Sequence, residues 1–190
     1  MIETLKHIDT TWFLAINNGL KCSFLDMLCP FMRKQSNWYA VYVIILFICY
    51  RKWNQKVLWV IGGAVVLVLV SDQLSANLIK NAVQRIRPCN EPALAGMVNN
   101  IVGCGKGFSF ISAHATNHFA IAIFLSVLFY NQYKWIVYIA ILWAGLIAFS
   151  QVYVGVHYPF DVICGALLGS ILGYVQGIFI FSKLSSPKIP

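Results

Sequence analysis

The sequence is poor in charged residues. Of its 190 residues only 11% are Asp, Glu, Lys or Arg, whereas 59% are hydrophobic. A soluble domain carries about a quarter charged residues, so this chain could not cover its surface with polar groups in water. The shortage of charge excludes an ordinary soluble domain and predicts an integral membrane protein whose apolar surface is solvated by lipid.

Acidic residues are especially scarce. Six Asp and Glu stand against 14 Lys and Arg, which gives a net charge of +8. A basic excess can indicate nucleic-acid binding, but these cations form no continuous patch, so we expect no nucleic-acid partner. Some cations follow apolar runs, as topology signals do. A second group lies between two apolar runs and needs another explanation: Lys80, Arg85, Arg87 and Lys106.

Targeting and redox signals are also few. The N-terminal segment lacks a basic region followed by an apolar core, so we expect no cleavable signal peptide and targeting by the first spanning helix. The six cysteines contain no CxxC pair and no zinc spacing. Cys89 and Cys104 flank one polar loop. They either close a disulfide, if that loop faces an oxidising compartment, or remain free thiols.

Apolar runs predict an all-α, polytopic transmembrane bundle with five spanning helices. Residues 1–36 mix apolar and polar positions and predict one or two short helices that lie in the membrane interface. No internal repeat is present, so we expect residues 1–190 to form a single integral membrane domain. The five predicted spans are approximately 36–50, 57–87, 112–130, 135–152 and 159–181.

The predicted spans sort the polar segments onto two sides of the membrane. The polar loop 88–111, with two prolines and four glycines, shares one side with the turn 153–158. The opposite side is cytoplasmic by the positive-inside rule. It carries three basic segments: 51–56, the turn at Lys134, and the tail with Lys183 and Lys188.

A first polar cluster on the loop side comprises Lys80 and Arg87. The two cations are seven residues apart, nearly two helical turns. On a continuous helix that ends at Pro88, they point the same way with Gln84 between them. The alternative is that both side chains snorkel toward lipid headgroups.

A second cluster begins an apolar helix. Ser112 is a favoured N-cap, and the free N–H groups of a helix start can bind an anion. His114, one turn inside a membrane helix, is costly to bury and indicates function. His118 follows one turn later, and two histidines at this spacing could bind a metal. No third ligand is obvious, so we expect no metal and favour a supporting or headgroup-binding role for His118.

A third cluster contains His157 and Asp161. Pro159 suits the first turn of a helix, and Asp161 lies in the same turn, where the helix dipole favours a carboxylate. The carboxylate could hold one nitrogen of His157 and leave the other as an attacking lone pair. The alternative is a capping aspartate beside an interfacial histidine. Together, the three clusters supply charge neutralisation, positioning, a nucleophile and an acid, which favours phosphoryl transfer.

In this order and spacing, the clusters resemble the motifs of the type 2 phosphatidic acid phosphatase family, the membrane relatives of vanadium haloperoxidases. The family motif K-x6-R-P is complete as Lys80 to Arg87-Pro88. The motif P-S-G-H appears as Ile111-Ser112-Ala113-His114. The motif S-R-x5-H-x3-D appears as Ser150-Gln151, His157 and Asp161. The resemblance covers residues 80–161.

The resemblance implies metal-independent hydrolysis of a lipid phosphate, a monoester or a diphosphate, through a phosphohistidine. In this scheme His157 attacks phosphorus, Asp161 orients it, and His114 protonates the leaving oxygen and later activates water. No cofactor is implied, and the partners are the substrate and membrane lipids. Substrates of the family include undecaprenyl and other polyprenyl diphosphates, phosphatidylglycerol phosphate, phosphatidate and lipid A phosphates. The implied phosphate-binding positions are Lys80, Arg87, Ser112, the N–H of Ala113, and Gln151.

The sequence departs from the family pattern at three positions. Ile111 replaces a proline and Ala113 a glycine, whereas Gln151 replaces an arginine. Loss of a cation beside a transferred phosphoryl group can cost several powers of ten in rate. Arg85 or Lys106 are candidates to compensate, or the substrate differs. The alternatives are a catalytically weak lipid-phosphate binder or transporter, and a structural membrane protein. We expect a bacterial inner membrane location with the active site facing the periplasm or exterior.

Overall fold

The chain forms a bundle of α-helices. The computed structural model describes residues 2–185, which contain no β-strand. The run of valines in the second apolar segment is helical despite its β-branched side chains, because a helix pairs every backbone group within itself. The helices are α1 (Ile2–Asn17), α2 (Ser23–Arg33), α3 (Tyr39–Trp53), α4 (Val57–Asp72), α5 (Lys80–Val83), α6 (Ala113–Phe129), α7 (Trp135–Tyr153) and α8 (Pro159–Ser185).

The apolar helices agree with the predicted spans. Helical stretches at 35–94, 135–153 and 159–185 are long and apolar enough to cross a membrane, and α6 is a shorter apolar helix. The first stretch contains α3 and α4, which are separated by a turn at Asn54. The transmembrane, all-α fold class is therefore confirmed, and α1 and α2 are the two short helices predicted before the spans.

Two lysines, one in the last turn of α3 and one in the turn that follows it, identify one end of the bundle. Lys52 Nζ donates to the carbonyl of Leu128 at 3.2 Å, and Lys56 Nζ donates to the carbonyl of Leu184 at 2.8 Å. Cations near helix C-termini satisfy carbonyls that have no partner within the helix. The basic segment 51–56 therefore lies with the ends of α6 and α8, as predicted; Lys188 is outside the described residues.

The closest packing in the bundle is between α6 and α8. Four glycines of α8, each four residues from the next, lie buried along this contact: Gly165, Gly169, Gly173 and Gly177. An added Cβ at Gly169 would collide with the carbonyl of Thr116, and one at Gly173 with the carbonyl of Ala120. Small residues at this spacing let two membrane helices approach closely.

The second span ends earlier than predicted. A π-helical segment, Gln73–Ile79, connects α4 to α5, and α5 ends at Val83. Gln84 adopts a left-handed conformation with φ 52°. The prediction of a continuous helix to about Arg87 is therefore wrong, and Gln84 does not lie between two cations on one helical face. The chain instead turns at Gln84 and brings Arg87 to the site from an extended segment.

Candidate active site

His157 and Asp161 lie together at the junction of the 154–158 turn and α8. His157 is 3% exposed and Asp161 is fully buried. Nδ1 of His157 is 3.5 Å from Oδ2 of Asp161. This distance is longer than a hydrogen bond, but contacts of this kind in unliganded active sites commonly tighten when substrate binds. Because Nδ1 faces the carboxylate, Nε2 is the nitrogen available for attack.

The turn before α8 is held by the backbone of Gln151 and by the side chain of Asn17. The carbonyl of Gln151 accepts from the N–H groups of Val156 and His157, both at 3.2 Å. Asn17, buried on α1, donates to the carbonyls of Tyr153 at 2.7 Å and Asn99 at 2.9 Å. The N-terminal helix therefore fixes the backbone that carries His157.

Arg85 connects the dyad to α1. Its Nη1 donates to Asp161 Oδ1 at 2.8 Å, and its Nη2 pairs with Asp9 Oδ2 at 2.8 Å. The guanidinium also lies over the ring of Tyr158 at 3.8 Å. Asp9 is 1% exposed and accepts from the N–H of Phe160 through Oδ1 at 2.9 Å. Arg85 is thus engaged by two carboxylates, and it does not replace the missing arginine as a free cation.

Lys80 and Arg87 are both half-buried beside the dyad. His157 interacts electrostatically with both cations, and Lys80 also interacts with Arg87 and Asp161. Arg87 donates through Nε to the carbonyl of Gly107 and through Nη1 to that of Val156, each at 3.3 Å. These bonds hold the guanidinium between the polar loop and the 154–158 turn.

The start of α6 lies against α8. The N–H of Ser112 donates to the carbonyl of Asp161 at 3.0 Å, and Ser112 Oγ caps the helix by accepting from Ala115 N–H at 3.4 Å. The cap leaves the N–H groups of Ala113 and His114 without an acceptor inside the helix. The predicted role of Ser112 as an N-cap is confirmed.

His114 belongs to the same cluster. Its imidazole interacts electrostatically with His157, Lys80 and Arg33. His118 stacks against it, with ring centroids 6.2 Å apart, and His118 Nδ1 contacts the carbonyl oxygen of His114 at 2.8 Å. Within residues 2–185 no three His, Cys, Asp or Glu side chains are grouped as metal ligands.

Gln151 is fully buried on α7. Neither its amide nitrogen nor its amide oxygen has a hydrogen-bond partner in the described part of the chain. A buried amide without partners carries a desolvation cost of about 1–3 kcal/mol. The Gln151 amide, at the position of the family's arginine, is therefore buried with its hydrogen-bonding groups unpaired.

The polar loop is closed by a disulfide between Cys89 and Cys104, which decides between the two alternatives for these cysteines. Lys106, the other candidate to compensate for Gln151, is exposed on this loop. Solvent and salt screen an exposed charge, so Lys106 is a poor substitute for a buried cation.

Burial affects the protonation of His157, the candidate nucleophile. It lowers the pKa of His157 from its ordinary value, because desolvation penalises the charged imidazolium, while Asp161 acts in the opposite direction. The cations Arg87 and Lys80 lower the pKa further. The imidazole is therefore neutral near pH 7, with a lone pair on Nε2.

Comparison with known proteins identifies the family. The family model described as PAP2 superfamily matches residues 61–183, more than half of the chain. The chain belongs to the PAP2 superfamily. This membership, the helical transmembrane fold and the phosphatase relatives described next make it a membrane lipid phosphatase.

Two curated PAP2 relatives match almost the whole chain. The lipid A 4′-phosphatase of Bacteroides thetaiotaomicron is 34% identical over 189 residues, which cover 98% of this chain and 82% of that protein. The lipid A 4′-phosphatase of Porphyromonas gingivalis is 29% identical over 186 residues, which cover 96% of this chain and 77% of that protein.

A solved PAP2 structure has the same fold. The transmembrane PAP2 type phosphatidylglycerolphosphate phosphatase from Bacillus subtilis superposes with a TM-score of 0.74, covering 98% of this chain and 90% of that chain. At 19% sequence identity this likeness shows the fold alone.

Proposed function

We propose that this phosphatase hydrolyses a phosphate monoester on a lipid A-type saccharolipid through a phosphohistidine on His157. One observation carries the chemistry: the buried imidazole of His157 faces the Asp161 carboxylate through Nδ1 and interacts electrostatically with two cations, Arg87 and Lys80. The substrate class is supported by the two near-full-length relatives, both lipid A 4′-phosphatases.

In the first step, Nε2 of His157 attacks phosphorus and the phosphorus–oxygen bond to the sugar breaks. His114 gives its proton to the leaving oxygen. Asp161 holds Nδ1–H of His157 and stabilises the positive charge that develops on the ring. Lys80, Arg87, Ser112 and the N–H of Ala113 bind the three equatorial oxygens, where negative charge accumulates.

In the second step, His114 takes a proton from water, the resulting hydroxide attacks phosphorus, and the N–P bond breaks. Inorganic phosphate leaves and His157 returns to its neutral form. The proton transfers in this scheme use the protein's own side chains and water, so the scheme calls for no metal ion.

We propose that the site faces the periplasm of a bacterial inner membrane. The basic segment 51–56 and the C-terminal ends of α6 and α8 lie at the end of the bundle opposite the site. Basic residues at that end suit a cytoplasmic face by the positive-inside rule. The disulfide beside the site suits an oxidising compartment. Contacts from Asp9 on α1 to Arg85 and to the N–H of Phe160 support treating the whole chain as one domain.

The test is phosphate release by purified protein in detergent. The substrates compared are lipid A, undecaprenyl diphosphate, phosphatidylglycerol phosphate and phosphatidate, with the product identified by mass. We expect fastest release from lipid A, no loss of rate with EDTA, and inhibition by vanadate. His157→Ala should abolish turnover, and His114→Ala should reduce it about 10²- to 10⁴-fold.

The matched control is His7→Ala, which removes an exposed imidazole from α1 and should leave the rate unchanged. Full activity of His157→Ala would refute the nucleophile. Vanadate binding without turnover on any lipid would identify a phosphate-binding protein instead of an enzyme.

A further inference from the structure

Arg33 is a cation near the site that belongs to none of the three motifs. It is the last residue of α2 and is half-buried. Its guanidinium interacts electrostatically with Arg87 and with His114. Since Arg87 and His114 belong to the proposed phosphate site, Arg33 brings a third positive or protonatable group to the same region.

Helix α2 packs against α7, the helix that carries Gln151, and its first turn is bonded to that helix. The hydroxyl of Tyr153 on α7 donates to Asp26 Oδ1 at 2.7 Å. At the end of α2, the indole N–H of Trp38 donates to the carbonyl of Met32 at 2.8 Å. The start of α2 is therefore bonded to α7, and the residue before Arg33 is bonded to the Trp38 side chain.

The Arg33 guanidinium has no anionic partner. Its Nε is buried without a hydrogen-bond acceptor, and no carboxylate among residues 2–185 pairs with it. Arg85, by contrast, pairs with both Asp9 and Asp161. Like charges gathered away from water repel one another strongly unless an anion lies between them.

A cation at the end of a helix can simply complement the helix dipole. That role is served by the neighbouring Lys34, which is exposed at the C-cap. It does not explain why the Nε of Arg33 is buried without an acceptor. Burial lowers the pKa of Arg33, because desolvation penalises the charged form, and Arg87 lowers it further. A bound anion would relieve both effects.

We propose that Arg33 supplies the phosphate-binding cation that Gln151 no longer provides. In this arrangement the charge of the third motif has moved from α7 to the adjacent helix α2. The amide of Gln151, which lacks partners, then donates to the same phosphate group. This inference rests on the proposed function, since it assigns Arg33 to the phosphate of that reaction.

The test removes the positive charge of Arg33 from α2 and then restores a positive charge at position 151 on α7. Arg33→Gln should lower kcat/KM about 10³-fold, the effect expected when a cation is removed from a transferred phosphoryl group. Arg33→Lys should retain part of the activity because it keeps the charge. The double variant Arg33→Gln with Gln151→Arg should recover about tenfold or more over Arg33→Gln alone.

The matched control is Lys34→Gln, which removes an exposed cation next in sequence and should leave kcat/KM unchanged. Orthovanadate supplies a readout independent of turnover. It should raise the Tm of the wild-type protein and of Lys34→Gln, and it should raise the Tm of Arg33→Gln much less.

Wild-type kcat/KM in Arg33→Gln would overturn the inference. So would loss of activity in Arg33→Gln with an unchanged vanadate shift, because that pattern indicates a structural role. If the wild-type protein released no phosphate from any lipid but bound vanadate through Arg33, the proposed function would fail and the inference would stand.

Discussion

At the residue scale, the Asp161 carboxylate is shared by three groups. Oδ2 accepts from the N–H of Tyr158 at 2.9 Å and faces His157, while Oδ1 accepts from Arg85. The same guanidinium is drawn toward Asp9 on its other side. We therefore expect Asp9 to act through Arg85 on the Asp161 carboxylate, and so on the proposed nucleophile His157.

We predict that Asp9→Asn lowers kcat about tenfold and leaves KM nearly unchanged, as is typical of a residue that acts through another. The protein should also lose about 1–3 kcal/mol of stability, because the change removes one of the two carboxylates that bind the Arg85 guanidinium and leaves Asp161 as its partner. Initial rates and thermal unfolding in detergent measure the two effects.

Glu3→Gln on the same helix is the control for Asp9→Asn. Glu3 pairs with Lys6 at 3.1 Å on the exposed surface, where ion pairs contribute about 0–1 kcal/mol. An increase in KM with unchanged kcat in Asp9→Asn would contradict the positioning role and indicate a contact with substrate.

The three motifs could be found in the sequence because each keeps its residues within a few turns of one another. Asp9 and Arg33 could not be found in this way, because they lie 71 and 47 residues before Lys80 and belong to none of the three motifs. Only the docking of α1 and α2 on α7 and α8 brings them to the site. Arg85 was identified as a candidate, but its two carboxylate partners are visible only in the folded bundle.

At the element scale, the helices were the most predictable feature. Lipid leaves the backbone few options other than helix, so an apolar run defines a span. The end of the second span was not predictable in this way. There, Ser109 N–H bonds to the carbonyl of Arg85 at 2.8 Å, and this loop contact takes the place of a helical hydrogen bond. The π-helical segment before α5 likewise has no signal in apolar periodicity, and such segments are frequent near functional sites.

The contact between α6 and α8 determines how the second and third motifs meet, because Ser112 and Asp161 sit at its end. We predict that Gly169→Ala destabilises the protein by about 1–3 kcal/mol, since the added methyl group would meet the carbonyl of Thr116. The Tm in detergent and the rate of phosphate release should fall together.

Gly62→Ala tests the same substitution where nothing lies within 4 Å of the added methyl group. It should leave Tm unchanged or raise it slightly, because alanine favours helix. Equal Tm values for the two variants would show that α6 and α8 do not require glycine at their contact.

At the scale of the whole molecule, the bundle has two chemically different ends. One end carries the basic turn, whose lysines bind the final carbonyls of α6 and α8. The other carries the catalytic cluster and the loop that is closed by Cys89 and Cys104. We propose that the cations at the two ends serve different purposes, orientation in the membrane at one end and binding of phosphate at the other.

We predict that reduction of the disulfide lowers stability by about 3 kcal/mol, the value expected for a closed loop of about 15 residues. In intact cells of a Cys22→Ser background, a membrane-impermeant maleimide should label Cys89 and Cys104 only after reduction. The Cys22→Ser change is needed because Cys22 is itself exposed.

A Cys104→Ser variant in the same background provides the control, since its Cys89 should be labelled without reduction. Labelling of the unchanged pair before reduction would show that the disulfide does not form in cells. Labelling only after the membrane is permeabilised would reverse the assigned orientation.

The bridge that Arg85 makes between Asp9 and Asp161 has a consequence for biosynthesis. Asp9 and Arg85 are synthesised before α6, α7 and α8. Asp9 can therefore pair with the Arg85 guanidinium while these later helices insert. The second carboxylate arrives with α8, after the other seven helices. The contact between Asp161 and His157 therefore cannot form until α8 has been synthesised, so we expect a chain truncated before α8 to insert in the membrane without hydrolytic activity.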